Sequence, residues 1–400
     1  MITKIIILLL FILIYFNSVK KPKLIHSNQY TSRIQFKYIF PPILFNSGFS
    51  HTIIASLLKK KTVNNYNNKK IITIDVEDGI QLEIDVFEPK LQQHTNLNSN
   101  YKVINNIKQT FNIIFNQIFK INSSTVYSAN NIRSNVILLH GLHGSSNSKY
   151  IIDAVDVFLE KNCRIFCLNM RGQRGIFRSI NFSHIGHTTD LHLLYNYITT
   201  HYTEPLFYIG FSQGANMITK FFGEINPMDN RIIGGISVCN PFNFQKAEQL
   251  TIESGLLGKI SHWIVTKIFK MHLEQNLFLK NNIKNINLKN EIMNSKTPYD
   301  ILTILAKYNM LDGYKDAALF LKENSSEYFI SKITKPLLFI NSEDDPIIPL
   351  KAIPVSQISN NKNTALITLK GGHLGFRSIF LSNVLDTFMS DFFEAVIKTK

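Results

Sequence analysis

Ser212 stands between Gly210 and Gly214 in the run FYIGFSQGANMITKFFGE (207–224), where apolar residues end and a helix-compatible pattern begins. A hydroxyl is a poor nucleophile until a base takes its proton. Gly-x-Ser-x-Gly between a strand and a helix holds the serine on a tight turn, and the glycines let the two backbones approach without Cβ clashes. The N-terminus of the helix then offers N–H groups to a developing oxyanion. The chemistry implied is acyl transfer through a serine nucleophile. A Gly-lined turn that only packs would carry the same pentapeptide, so a base and an orienting acid must also be found, in the chain order serine, acid, histidine.

Both are present downstream. PLLFINSEDDPIIP (336–349) ends an apolar run with two adjacent acids, Asp344 and Asp345. An acid just past a strand, followed by Pro-Ile-Ile-Pro, suits a carboxylate that orients a histidine; the role is assigned to Asp345, with Asp344 as the alternative and a solvated acidic turn as the plain reading. LITLKGGHLGF (366–376) presents His373 behind two glycines, after another apolar run. A lone histidine is usually structural, but this one occupies the third slot of the required order. His373 would take the serine proton and return it to the leaving group, while Asp345 would fix its tautomer and stabilise the imidazolium. For the oxyanion, LLHGLHGSS (138–146) allows the Leu142 N–H to point into the site, and the other donor would be the N–H of Gln213, next to the nucleophile.

These residues need a scaffold. From 134 onward, short apolar runs bounded by Gly or Pro alternate with longer helical patterns: NVILLHG (135–141), RIFCLNMRG (164–172), PLFYIGFS (205–212), IIGGISVCNP (232–241), PLLFINS (336–342) and TALITLKGG (364–372). Strand-helix alternation implies an α/β fold, a mostly parallel central sheet flanked by helices. Ser212, Asp345 and His373 each fall past the C-terminal end of such a strand, where open α/β sheets carry their sites. Upstream, KIITIDVEDGIQLEIDVFEP (70–89) reads as a hairpin turning at Asp78-Gly79. Between 241 and 335 the rhythm lapses into helical sequence, an insertion expected to form a lid between late strands. NVLDTFMSDFFEAVIKT (383–399) reads as a closing amphipathic helix.

The 400 residues carry a net charge of +15, but the lysines are scattered among Asn and Ile instead of forming one arm or stripe, which argues against nucleic acid and leaves anionic lipid as a partner. Three cysteines, Cys163, Cys167 and Cys239, make neither a disulfide framework nor a zinc site and read as buried apolar residues. Residues 1–20 hold an unbroken apolar run from Ile5 to Phe16. Phe16 and Ser18 suit a small-x-small cleavage site poorly, which favours an uncleaved membrane anchor over a removed signal. Lys20, Lys21 and Lys23 outweigh Lys4, so the body would stay on the cytoplasmic side of an endomembrane; cleavage would instead imply secretion. In 101–120, Ile104, Ile107, Phe111, Ile114, Phe115 and Ile118 fall at helical spacing, with no acid between Glu88 and Asp153. Such a helix either packs on the main domain or lies on a membrane surface.

With these residues assembled, the chain resembles an α/β-hydrolase of the YheT-like branch, which includes N-terminally membrane-anchored lipid esterases. The resemblance spans about 40–400 and rests on ordered motifs: PPILFNSGFSHTI, VEDGIQLEIDV, HGLHGSSNSKYI, LNMRGQRG, GFSQGANMITKFFGE, INSEDDPIIP and GGHLGF. The branch has methionine where Gln213 stands and a second glycine where Ala215 stands; neither change removes a backbone donor. Its paired tyrosines before the last strands are missing from ALFLKENSSEYF (318–329), and the insertion 91–131 is atypical. The resemblance implies hydrolysis of carboxylic esters of lipids, such as monoacylglycerols, by the triad Ser212, His373 and Asp345, with no metal or organic cofactor. An acyltransferase using the same acyl-enzyme, and a non-catalytic lipid-binding protein on the same fold, are the alternatives.

Overall fold

The computed structural model describes residues 19–36, 47–57, 69–76, 80–89, 132–174, 183–225, 229–280, 284–378 and 382–398. The anchor expected over 1–20 lies outside them except for its last two residues, as do the Asp78-Gly79 turn, the helical pattern of 101–120 and the rest of the 91–131 insertion. Among the described residues no helix is long and apolar enough to cross a membrane.

Among the described residues nine strands form one sheet in the order β1-β9-β8-β7-β6-β4-β5-β3-β2. Six of them are parallel: β4 (Asn135–Leu139), β5 (Arg164–Leu168), β6 (Leu206–Phe211), β7 (Ile232–Val238), β8 (Leu337–Ser342) and β9 (Thr364–Leu369). These are the six runs picked out by their apolar content, and every residue of five of them is buried, as befits strands covered on both faces. The hairpin β2 (Lys69–Val76) and β3 (Ile80–Phe87) pairs antiparallel and joins the sheet through β5. The opposite edge holds a strand that sequence reading did not anticipate: β1 (Lys23–His26), antiparallel to β9. Four mostly exposed residues carry no alternation for a pattern search to find.

Period-two alternation divides the parallel strands between two cores. Ile137, Leu139, Phe166, Tyr208 and Phe339 face one side, packing on α3 (Thr189–His201), α4 (Gln213–Glu224) and the helices that follow β7. Val136, Leu138, Phe207, Ile209 and Leu338 face the other, against α2 (Lys149–Glu160) and α11 (Leu385–Ile397), the expected closing helix. All three cysteines are buried on this second side as free thiols. This is the architecture that the strand-helix alternation implied.

Between β7 and β8 lie α5 (Phe244–Glu253), α6 (Leu256–Leu273), a π-helical stretch (Glu274–Lys280), α7 (Ile286–Asn294), α8 (Pro298–Lys307) and α9 (Ala317–Asn324). Two further α-helices are α1 (Gly48–Leu57) before the hairpin and α10 (Val355–Ser359) before β9, and 3-10 turns occur at Thr31–Arg33, Ser326–Lys332 and Leu350–Ala352. The insertion is helical because its apolar residues recur every three or four positions and its starts are capped: Thr297 and Asp300 form a reciprocal capping box at α8, and Asn243 and Asp316 accept N–H groups at α5 and α9.

Candidate active site

Ser212 is the junction residue between β6 and α4, with φ 55° and ψ −114°. A non-glycine residue rarely sits there, and such strain persists only where surrounding structure imposes it. The flanking glycines impose it. A Cβ on Gly210 would come within 2.2 Å of the Gly214 carbonyl oxygen, and one on Gly214 within 2.5 Å of that of Leu139. Strand, turn and helix therefore close up only with hydrogen at both positions. The backbone N–H of Ser212 is tied to Val238 O at 2.9 Å, and its carbonyl accepts from Asn216 N at 3.1 Å.

The three residues singled out in the sequence meet here. His373 Nε2 lies 2.9 Å from Ser212 Oγ, and Nδ1 lies 2.8 Å from Asp345 Oδ2. The Asp345 side chain is fully buried and His373 is 11% exposed, so the acid is shielded while the ring borders solvent. Asp345 Oδ1 accepts the N–H groups of Ile347 and Ile348 at 2.8 and 2.9 Å. This leaves Oδ2 free for the ring, which fixes the tautomer: Nδ1–H donates to Asp345 and Nε2 faces the serine with its lone pair.

Asp344 does something different. Its Oδ1 accepts from Ser342 Oγ at 2.8 Å and from the N–H groups of Gly371 and Gly372 at 2.9 and 3.0 Å. It shapes the loop that carries His373 without touching the ring. Of the two adjacent acids, Asp345 is the one in contact with the histidine.

The loop after β4 approaches the serine from the other side. A Cβ on Gly141 would lie 3.1 Å from Ser212 Cβ. His140 is buried and pinned at both nitrogens: Nδ1–H donates to Gly141 O at 2.7 Å, and Nε2 accepts from Met170 N at 3.1 Å. Burial pushes its pKa down to about 4, so it is neutral and serves as a fixed strut. Tyr150 OH accepts from Gly141 N at 3.0 Å, and Gly141 O accepts from Gly144 N. These bonds occupy the polar groups on either side of Leu142. Among the described residues neither the Leu142 N–H nor the Gln213 N–H has a partner, which is the condition an oxyanion pocket requires.

Sequence reading gave no role to Thr52. Its Oγ1 accepts from His373 N at 2.8 Å and donates to Gly48 O at 2.8 Å, so α1 clasps the histidine loop from 321 residues away. The signal lay in GFSHTI, one of the resembling motifs, but nothing in those residue types tells of a contact so distant. Asn216, one turn into α4, also went unassigned. Its amide donates to Ile185 O and Asn324 O, each at 2.8 Å, and accepts from Ser326 N, tying α4 to the insertion.

The insertion also reaches the site. At the end of α6, His272 Nδ1 lies 2.9 Å from Gln173 Nε2, and its ring meets that of His143 edge-on at 6.0 Å, one residue from Leu142. The outer side of α6 is exposed and apolar: Leu256 (75%), Leu257, Ile260, Trp263 (60%) and Met271. Lys267 lies over the Trp263 ring, and the helix contains no acid.

The chain is similar in sequence to several named proteins. Abhydrolase domain-containing protein 2 of Drosophila melanogaster is 28% identical over 253 residues, covering 60% of this chain and 63% of that protein. Monoacylglycerol lipase ABHD2 of Bos taurus is 24% identical over 356 residues, covering 85% of this chain and 74% of its own. A monoacylglycerol lipase of Saccharomyces cerevisiae is 28% identical over 254 residues, 60% of this chain and 54% of the yeast protein. The chain thus spans less than two thirds of the fly and yeast proteins. No protein-family model matches it. The Pyrococcus furiosus esterase Pf2001 superposes on 82% of the chain at 14% identity with a TM-score of 0.48, covering 91% of the esterase, a likeness too loose to carry an argument.

Proposed function

The chain is a member of the α/β-hydrolases, and from that premise we propose that it hydrolyses carboxylic esters of lipids, monoacylglycerols or related acyl esters, with Ser212 as nucleophile, His373 as general base and acid, and Asp345 as the residue that orients the histidine. The observation that carries this reading is the unbroken hydrogen-bonded chain from buried Asp345 through His373 to a strained Ser212. Ser212 Oγ attacks the ester carbonyl as His373 Nε2 takes its proton across 2.9 Å. Asp345 stabilises the imidazolium and remains ionised. The tetrahedral oxyanion accepts from the N–H groups of Leu142 and Gln213, worth about 3–4 kcal/mol for each donor aimed at it. The intermediate collapses, His373 gives its proton to the departing alcohol, and an acyl group stays on Ser212. Water then attacks with His373 again as base, and the carboxylic acid leaves.

The lipid character of the substrate rests on the relatives named as monoacylglycerol lipases and on the apolar helices 241–335, which we read as a lid over the acyl chain. Burial of the chain would contribute about 0.8 kcal/mol per methylene. Membrane association, with the expected anchor at 1–20, is supported by α6. An exposed stripe of Leu256, Ile260 and Trp263, with Lys259 and Lys267 and no acid, suits the interface of an anionic bilayer.

The test is labelling of the detergent-extracted protein with a fluorophosphonate, beside Ser212→Ala. Labelling of the wild type alone, followed by release of fatty acid from monoacylglycerol, is the expected result. Equal labelling of both, or of neither when both are folded and lipid is present, would overturn the assignment.

A further inference from the structure

We propose that His184, His187 and Asp312 form a site for a divalent cation of the zinc class, separate from the Ser212 centre, which fastens the helical insertion to the loop that supports the nucleophile's helix. His184 and His187 lie in the short segment before α3; Asp312 lies 128 residues further on, between α8 and α9. One ligand atom from each residue falls within 4.8 Å of the others. His184 Nε2 is 2.6 Å from Asp312 Oδ2, and His187 Nδ1 is 3.7 Å from the same oxygen. A tetrahedral ion with ligands at about 2.0–2.1 Å holds them about 3.3 Å apart, so the observed separations bracket the required one.

The donor set favours a cation of this class. Two imidazoles and one carboxylate are the ligands of zinc sites that keep an open position. Both histidine side chains are 8% exposed, whereas Asp312 is 33% exposed and leaves room for a water. Behind His187 stands the outer partner that such a site needs. Asp190 Oδ1 lies 3.5 Å from His187 Nε2 and is itself gripped by Arg171, whose Nε lies 2.8 and 2.9 Å from the two carboxylate oxygens. A carboxylate on one ring nitrogen keeps the proton there and turns the other nitrogen's lone pair toward the metal.

The competing account is a hydrogen-bonded brace without an ion. It explains the His184–Asp312 contact but leaves His187 loosely held between two carboxylates, with Nε2 3.5 Å from Asp190 Oδ1 and Nδ1 3.7 Å from Asp312 Oδ2. Buried polar atoms normally find partners within about 3.2 Å. An ion at the common point gives His187 Nδ1 a partner. It replaces the proton shared by His184 Nε2 and Asp312, and that proton moves to Nδ1 of the same ring, at the expense of the long 3.3 Å contact from Gly186 N.

The site is wired to the nucleophile's helix. His184 O accepts from Gln213 Nε2 at 3.1 Å, Ile185 O from Asn216, and Gly186 O from Lys220 Nζ at 3.1 Å. An ion holding Asp312 to this loop would clamp the insertion onto the first turns of α4.

The test is titration of chelator-treated full-length protein with Co²⁺, read by visible d–d absorption, together with thermal unfolding with and without Zn²⁺. One Co²⁺ per chain, and a rise in Tm of a few degrees with Zn²⁺, are expected. Both should be lost in His187→Gln and Asp312→Asn and kept in His192→Gln, a histidine outside the cluster. His187→Cys, which restores a ligand, should bind again with an added thiolate charge-transfer band. Absence of stoichiometric uptake by the wild type, or uptake unchanged in both ligand variants, would overturn the proposal whatever the esterase result.

Discussion

Asp345→Asn separates the roles of two adjacent acids. The asparagine keeps its oxygen on the Ile347 and Ile348 N–H groups, because those donors lie at 2.8 and 2.9 Å, and so turns its NH₂ toward His373. The ring can then only accept at Nδ1, which puts its proton on Nε2, facing Ser212 Oγ. The base is lost while the fold keeps its bonds. A wrong-tautomer histidine costs on the order of 10⁴ in rate, about 5.4 kcal/mol at 1.36 kcal/mol per decade. Asp344→Asn should behave otherwise. Its carbonyl oxygen can still serve Ser342, Gly371 and Gly372, so the rate should fall by less than about tenfold. Asp344→Ala strands all three donors and should cost about 3 kcal/mol of stability. The assay is the second-order rate of fluorophosphonate labelling, with Tm measured on the same samples. Labelling of Asp345→Asn within tenfold of wild type, or an equal loss in Asp344→Asn, would refute the reasoning.

Gly210→Ala should destabilise the protein by about 3 kcal/mol or more, read as a lower urea midpoint, because its Cβ would meet the Gly214 backbone at 2.2 Å. Asp386 is pushed up to about 7, by burial first and by Asp153 second. Its folded pKa lies above the unfolded value, so stability is lost as pH rises from about 4 to 7; Asp386→Asn should therefore raise stability at pH 8 by about 2–4 kcal/mol and change it little at pH 4, in paired thermal melts. Trp263 is the only tryptophan and stands 60% exposed on α6, so its emission should shift to the blue on vesicles containing anionic lipid; Leu256→Ser with Ile260→Ser should weaken that binding at least tenfold, and unshifted emission would exclude α6 as a lipid contact.

The sheet and the three candidate residues that come together, Ser212, His373 and Asp345, were legible because each leaves a local trace. A buried parallel strand is a short apolar run, and the turn at Ser212 needs glycine at two fixed offsets. The sequence favoured Asp345 and kept Asp344 as the alternative, since both are acids at the same strand end and their difference lies in which donors each faces. Thr52 and the cluster of His184, His187 and Asp312 were missed for one reason. Their partners lie 321 and 128 residues away, and no period or spacing encodes a contact made only after the sheet is assembled. The edge strand β1 was missed for another: exposed on its outer side, it has no apolar pattern.

The order of the site along the chain also has a meaning in time. Ser212 and its helix can form once β6 and β4 are paired, but the histidine that would activate the serine lies 161 residues later. At ~5–20 residues per second, a ribosome needs roughly 8–30 s to cover that distance. During that interval the nascent chain holds a serine with no base. When β9 arrives it docks between β8 and β1, so the last strand of the sheet is received by the first. A chain released early would present Ser212 without His373, so fluorophosphonate labelling of Ser212 is expected only after β9 has joined the sheet.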